Sequence, residues 1–191
     1  MINNKLIIGT ANFGQQYGIG KSKVDSKKLY KILKYAETKN LNHFDTAIAY
    51  NNNQNLLKRF NSISKINLKI TPNKKWEKLS YCKNIFQVIK INKNIKLNSI
   101  MFHQSKFFHS SNCRKIFNNL LLLKKEKFFG KIGVSIYNFH DLNYIIKNFK
   151  IDIVQCPFNI LDRRLIQNNW LKILRSKKIE VHIRSIFFQG L

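Results

Sequence analysis

The sequence predicts an α/β fold on a parallel sheet, a (β/α)8 barrel left incomplete at about seven strands, and three observations predict it. Short β-branched or aromatic runs alternate with longer stretches of helical period, the pattern of parallel strands joined by right-handed helical crossovers. Several strand runs are almost continuously apolar, as strands covered on both faces must be. The C-terminal ends of the runs carry polar or ionisable residues in one run after another, and that is the rim where a parallel barrel keeps its chemistry.

In chain order the strands fall at 6–9 (LIIG), 42–45, 66–70 (INLKI), 97–102 (LNSIMF), 131–135 (KIGVS), 151–156 (IDIVQC) and 179–184 (IEVHIR). Between the first two, Leu29, Ile32, Leu33 and Ala36 stand at i, i+3, i+4, i+7, with Asp25 or Ser26 as N-cap. Leu142, Ile145, Ile146 and Phe149 repeat that spacing, and Ile166, Trp170, Ile173 and Leu174 form another amphipathic face. Segments 52–60, 82–91 and 112–127 are compatible with helix. Pro72 and Pro157 each fall just past a strand, and no Pro- or Gly-rich linker divides the chain, so residues 1–191 read as one partial barrel domain.

An open dinucleotide-binding sheet is the competing architecture. It requires G-x-G-x-x-G after the first strand, where this chain has "GTANFGQQYGIG" with the wrong glycine spacing. "GIGKS" at 18–22 fails as a phosphate loop because Gln15 stands where the loop needs its first glycine.

An apolar fraction of 44% fits a globular protein, no apolar run is long enough to span a membrane, and the N-terminus is too short in apolar residues for a secretory signal. A cytoplasmic protein is expected. Cys82, Cys113 and Cys156 are odd in number and widely spaced, which argues against a disulfide or zinc framework and for buried or idle thiols. The formal charge of +26 predicts salt-sensitive adhesion to polyanions. The lysines are scattered through every segment rather than gathered in a block, so no specific nucleic-acid partner is expected.

The strand ends supply the candidate site. Asp45 closes the second strand in "NHFDTAIAY", with Tyr50 in the loop beyond; Lys69 lies on the third; His103 follows the fourth. Ser135 ends the fifth, Gln155 and Asn159 mark the sixth, and Arg184 and Ser185 the seventh. Asp, Tyr, Lys and His together have a direct chemical reading. An ammonium lowers the pKa of a neighbouring phenol, a carboxylate holds the ammonium, and an imidazole orients a carbonyl oxygen for protonation. His43, His109, His140 and His182 read as ordinary surface or core histidines.

The stretches "LIIGTANFGQQYGI", "NHFDTAIAY", "FHQS", "KIGVSIYN", "IVQCPFNILDRRL" and "VHIRSIFFQG" occur in an order and at intervals that resemble the aldo-keto reductase family, in particular a bacterial branch placed with sugar and surface-polysaccharide enzymes. The resemblance implies a TIM-type barrel that binds NADP(H) and reduces aldehydes or ketones. It implies Tyr50 as general acid, His103 as carbonyl orienter, Asp45 as the lysine's partner and Lys69 as that lysine. "INLKITPNK" departs from the family's usual hydrophobic-Thr-Lys ending, which leaves Lys74 as the alternative. It also implies that Gly9, Thr10, Asp45, Ser135 and Gln155 contact the cofactor, with Arg184 and Ser185 near its nicotinamide or pyrophosphate. The expected partner is a small carbonyl compound, by resemblance a sugar-derived one.

The sequence closes at "FFQGL", whereas family members continue with a helix, an eighth strand and a further helix. Weakened NADP(H) binding and self-association through the open seam are therefore expected. Three functions compete: a carbonyl reductase, a truncated inactive relative, and a basic polyanion-binding protein on a barrel scaffold.

Overall fold

The computed structural model describes residues 5–13, 15–18, 23–50, 64–91 and 96–188. Its strands are β1 (Ile8–Gly9), β2 (His43–Ala47), β3 (Lys65–Ile70), β4 (Lys96–Phe102), β5 (Lys131–Ser135), β6 (Ile153–Pro157) and β7 (Glu180–Arg184). They lie side by side in sequence order, every pair parallel, as seven strands of an incomplete (β/α)8 barrel. Among the described residues β1 and β7 are the edges.

The helices are α1 (Ser26–Thr38), α2 (Leu79–Ile91), α3 (Cys113–Lys125), α4 (Leu142–Asn148), α5 (Arg164–Gln167) and α6 (Trp170–Ser176), with 3-10 turns at Lys74–Glu77 and Ser105–His109. Asp25 caps α1 as expected, its carboxylate accepting from the Lys28 N–H at 2.8 Å. The 52–60 segment lies outside the described residues.

Strand alternation sorts the side chains into two layers. One set, including Phe44, Ile66, Leu68, Ile100, Phe102 and Val134, packs against the helices in the apolar core. The alternate set, Asp45, Asn67, Lys69, Ser99, Ser135, Gln155 and His182, faces the other way and is mostly polar. At the centre of that inner face Gly133 is required by close packing: a Cβ there would lie 2.8 Å from the Ile153 carbonyl oxygen. A register shift between Ile66 and Asn67 inserts Asn98 into β4 as a bulge. Asn98 and Ser99 both then donate to Asn67 Oδ1, each at 2.8 Å.

Three helices end in the same way without glycine. After α1, α3 and α6, the residues Asn40, Lys127 and Lys178 adopt φ of 54°, 61° and 57°. The next residues, Leu41, Phe128 and Ile179, donate back to Ala36, Leu123 and Leu174, closing Schellman turns that aim the chain into the following strand.

Several element boundaries differ from expectation. β1 is two residues, and β6 starts at Ile153 and includes Pro157. β2 runs two residues past Asp45, so the carboxylate sits inside the strand. The helix expected through Ile166 to Leu174 is two helices, because Asn169 takes a left-handed φ between them. Leu165 is buried in place of Ile166, which is exposed.

Candidate active site

Asp45 is fixed from its backbone. The Thr10 N–H and hydroxyl both donate to the Asp45 carbonyl at 3.0 Å, and Gly9 stands opposite Asp45 in the sheet register. Among the described residues nothing lies within 4 Å of where a Gly9 Cβ would be. On the next strand, alternation places Lys69 on the same inner face. Its ammonium is ion-paired with Asp45 Oδ2 and donates to Gln155 Oε1 at 3.3 Å. Both side chains are largely out of solvent, at 5% and 14% exposure, so the pair is desolvated and each charge needs the other.

Beyond β2 the chain turns, Tyr50 N–H donating to the Ala47 carbonyl at 3.1 Å, while Ile48 N–H bonds the Lys69 carbonyl. Tyr50 is thereby carried back over the end of β3, where Lys69 Nζ lies 5.8 Å from its ring centre. His103 meets Tyr50 edge to face, with ring centres 6.0 Å apart. His103 is placed by its backbone N–H, which donates to the Ile70 carbonyl at 2.9 Å, and by the turn that follows, where Phe107 and Phe108 both pack on Phe102. Four elements thus bring Asp45, Tyr50, Lys69 and His103 to one end of the sheet. Lys74 is exposed in the 3-10 turn.

The electrostatics differ from the expected acidified phenol. Burial pushes the Tyr50 pKa up, and the Asp45 carboxylate raises it further. The Lys69 charge is committed to Asp45 rather than to the phenol. Tyr50 is therefore firmly protonated at neutral pH. His103 moves the other way: burial, then the Lys69 charge, lower its pKa, so its ring is neutral and one ring nitrogen is available as an N–H donor.

Ser135 and Gln155 are buried neighbours in register across β5 and β6. Arg184, at the end of β7, donates from Nη2 to the Ile136 carbonyl at 2.9 Å, and its guanidinium carbon lies over Tyr137, 3.8 Å from the ring centre. Ser185 follows in a left-handed conformation, φ 60°, with its carbonyl accepting from the Asn159 side chain at 3.2 Å. Asn159 also accepts from the Leu161 and Asp162 N–H groups, so it shapes a turn. Tyr137 escaped the sequence reading; an aromatic two residues after the rim serine in "SIYN" was the available signal.

The remaining histidines are engaged elsewhere. His182 is buried and bonded to Glu180 at 2.7 Å, with His43 beside it, and His109 pairs with Asp141 at 3.1 Å. Cys82, Cys113 and Cys156 are free and buried, with burial raising their pKa values to about 11, 11 and 12. Among the described residues no group of His, Cys, Asp or Glu could hold a metal ion, and no helix is long and apolar enough to cross a membrane.

A parallel barrel sheet with a buried Asp–Lys pair beneath a Tyr and a His defines an α/β-barrel protein with a polar rim site. The aldo/keto reductase family model matches residues 5–191, and the chain belongs to that family. No curated protein sequence matches it. Among solved structures, the holo aldo-keto reductase AKR11C1 of Bacillus halodurans superposes with a TM-score of 0.70 at 17% identity, over 95% of this chain and 61% of that one. The silkworm (Bombyx mori) aldo-keto reductase complexed with NADPH gives 0.66 at 17% identity, over 95% and 58%. The aldose reductase of Giardia lamblia gives 0.65 at 13% identity, over 95% and 65%. The chain thus spans about three fifths of the length of these proteins.

Proposed function

We propose that this chain carries the site of an NADP(H)-dependent oxidoreductase that reduces an aldehyde or ketone. The observation behind this reading is the buried Asp45–Lys69 ion pair lying under Tyr50, with His103 against the same phenol. When bound, NADPH supplies a hydride to the carbonyl carbon. Tyr50 holds the proton that the carbonyl oxygen takes up, and an alkoxide is basic enough to draw it from a buried phenol. His103, neutral, donates a hydrogen bond that orients that oxygen. Lys69 stabilises the phenolate left behind, and Asp45 keeps the ammonium in place.

The residues present fit a nicotinamide nucleotide. Asp45 Oδ1 is buried with no partner among the described residues, an acceptor suited to a ribose hydroxyl. The space beside Gly9 admits a ring close to the backbone. Ser135 and Gln155 offer a hydroxyl and an amide of the type that pairs with a carboxamide, while Thr10 follows β1 and Ser185 follows β7. The substrate is a small carbonyl compound, and sugar-derived carbonyls are the first class to try.

The test is NADPH consumption with a panel of aldehydes and ketones by wild type and Tyr50→Phe. Wild-type turnover lost in the variant, with an unchanged circular dichroism spectrum, supports the reading. Turnover retained in Tyr50→Phe removes it.

A second reading rests on β1 and β7, whose outer edges have no partner strand among the described residues. Glu180 N–H and the Arg184 carbonyl bond toward β6, so the backbone groups of Val181 and Ile183 point to the open side. Beside them a cleft of about 480 Å³ is lined by Phe158, Ile160, Ile183 and Ile186. It lies on the face of β7 opposite Arg184. In this reading the chain binds NADP(H) weakly and self-associates along the seam. Sub-micromolar saturable binding in a fluorescence titration, together with a monomer by sedimentation, would exclude it.

A further inference from the structure

The rim of β7 holds a cation, Arg184, that stands outside the Asp45–Tyr50–Lys69–His103 group. The Arg184 guanidinium carbon lies over Tyr137, 3.8 Å from the ring centre, and the group is tethered through Nη2 to the Ile136 carbonyl at 2.9 Å. A longer contact of 3.4 Å joins Nη1 to the Ser185 hydroxyl. Among the described residues no carboxylate is ion-paired with it. Asp162, which feels its charge, is itself gripped by two nitrogens of Arg164 at 2.9 and 2.7 Å. Arg184 Nε is buried and has no acceptor among the described residues.

A buried, charged donor without an acceptor is costly and rare in folded proteins. The site is nevertheless built. A cation–π contact and a main-chain tether hold the guanidinium, a group whose N–H donors suit a planar anion. Its field also reaches the catalytic end, since the Arg184 charge acts on both Tyr50 and His103. Arg184 ends β7 in the same parallel sheet, so a ligand whose carbonyl oxygen meets Tyr50 and His103 lies at the same strand-end rim as this guanidinium.

We infer that Arg184, positioned by Tyr137, is an anion receptor that selects carbonyl substrates bearing a carboxylate. This inference rests on the proposed reductase reading and narrows its substrate class. Tyr137 acts through Arg184 as a positioning residue: its ring holds the guanidinium in place, and its phenol group is not required.

The probes are 4-carboxybenzaldehyde and the neutral 4-methylbenzaldehyde, with binding followed by nitrogen–proton NMR. The Arg184 Nε–H resonance is identified by its absence in Arg184→Met. The acid is expected to move that resonance saturably and to bind more tightly than the neutral aldehyde. Arg184→Met and Tyr137→Leu are expected to reduce this preference about tenfold, the order of one charge-assisted hydrogen bond, while Tyr137→Phe keeps it. Should Arg184→Met not fold, Arg184→Lys retains the charge without the planar fork and is expected to lose most of the preference. Equal binding of the two aldehydes by wild type, or a preference that survives loss of the guanidinium, overturns the inference. So does an Arg184 substitution that weakens NADPH binding while sparing the acid preference, because the receptor then serves a cofactor phosphate. Binding is read without turnover, so an inactive chain that still prefers the acid refutes the reductase reading alone.

Discussion

Lys69 Nζ is ion-paired with Asp45 and lies only 5.8 Å from the centre of the Tyr50 ring, so one ammonium neutralises a carboxylate while facing a phenol. The arrangement is built by register: Asp45 and Lys69 lie on the same inner face of β2 and β3, and the turn after Ala47 returns Tyr50 above them.

That pairing predicts strong non-additivity. Asp45→Asn strands a buried ammonium and is expected to cost about 3 kcal/mol or more, as does Lys69→Met for the carboxylate. The double variant leaves neither charge unpaired and is expected to recover most of that loss. Urea denaturation of the four proteins measures the cycle; a double variant as unstable as the sum of the singles would show that the two charges do not depend on each other. Neither Lys69→Met nor the double variant is expected to turn over, since both lack the ammonium under Tyr50.

The pH dependence follows from the two ring groups. His103 has a folded pKa below its ordinary 6.5 because of burial and the Lys69 charge. As pH falls below 6.5 the unfolded chain takes up a proton that the folded chain resists, so stability declines with acidification. His43, its pKa also lowered chiefly by burial, adds to the same slope. Tyr50 acts at the other end. Its pKa is raised, so above its ordinary value of 10.0 the unfolded chain releases a proton that the folded chain keeps, and stability declines again. Thermal melts from pH 5 to 11 are expected to show a plateau between these limits. The buried Cys82, Cys113 and Cys156, their pKa values also raised from 9.0 by burial, add to the alkaline decline. His103→Gln should lessen the acid slope and Tyr50→Phe the alkaline slope; unchanged slopes would disprove the assignments.

The apolar alternation of "INLKI" and "LNSIMF" was enough to read β3 and β4, because one face of each is buried against helices and period two is then enforced. Asp45, Tyr50, Lys69 and His103 were legible for a related reason, since rim residues follow from where strands stop. The Lys69–Asp45 pairing at the expense of the phenol was not legible, because it depends on side-chain distances across strands. Nor was the break at Asn169, where a left-handed residue interrupts an otherwise helical spacing. Tyr137 was hidden because its partner, Arg184, is 47 residues away and the two meet only when β5, β6 and β7 align.

The glycine-free helix ends give a stability prediction. Lys178 is exposed and holds φ 57° after α6, a conformation that brings an L side chain close to its own backbone. Lys178→Gly is expected to stabilise the chain by about 1 kcal/mol, since glycine adopts that φ without the steric penalty. A lowered denaturation midpoint would show that the lysine side chain contributes more than the strain it bears.

Gly9 and Gly133 separate the demands of the site from those of the fold. At Gly133 an added methyl meets backbone, the Ile153 carbonyl at 2.8 Å, together with Ile153 Cβ at 2.9 Å, and neither can rotate away. Gly133→Ala is expected to cost about 1–3 kcal/mol by overpacking. It should also displace β6 and with it Gln155, two residues on, which bonds Lys69. At Gly9 the added methyl meets nothing within 4 Å among the described residues. Gly9→Ala is therefore expected to leave stability within about 0.5 kcal/mol of wild type. If a nicotinamide ring uses that space, the same variant weakens NADPH binding. Denaturation and NADPH titration of both variants decide the matter: a Gly9→Ala protein that is equally stable and binds NADPH as wild type does would remove Gly9 from the cofactor site.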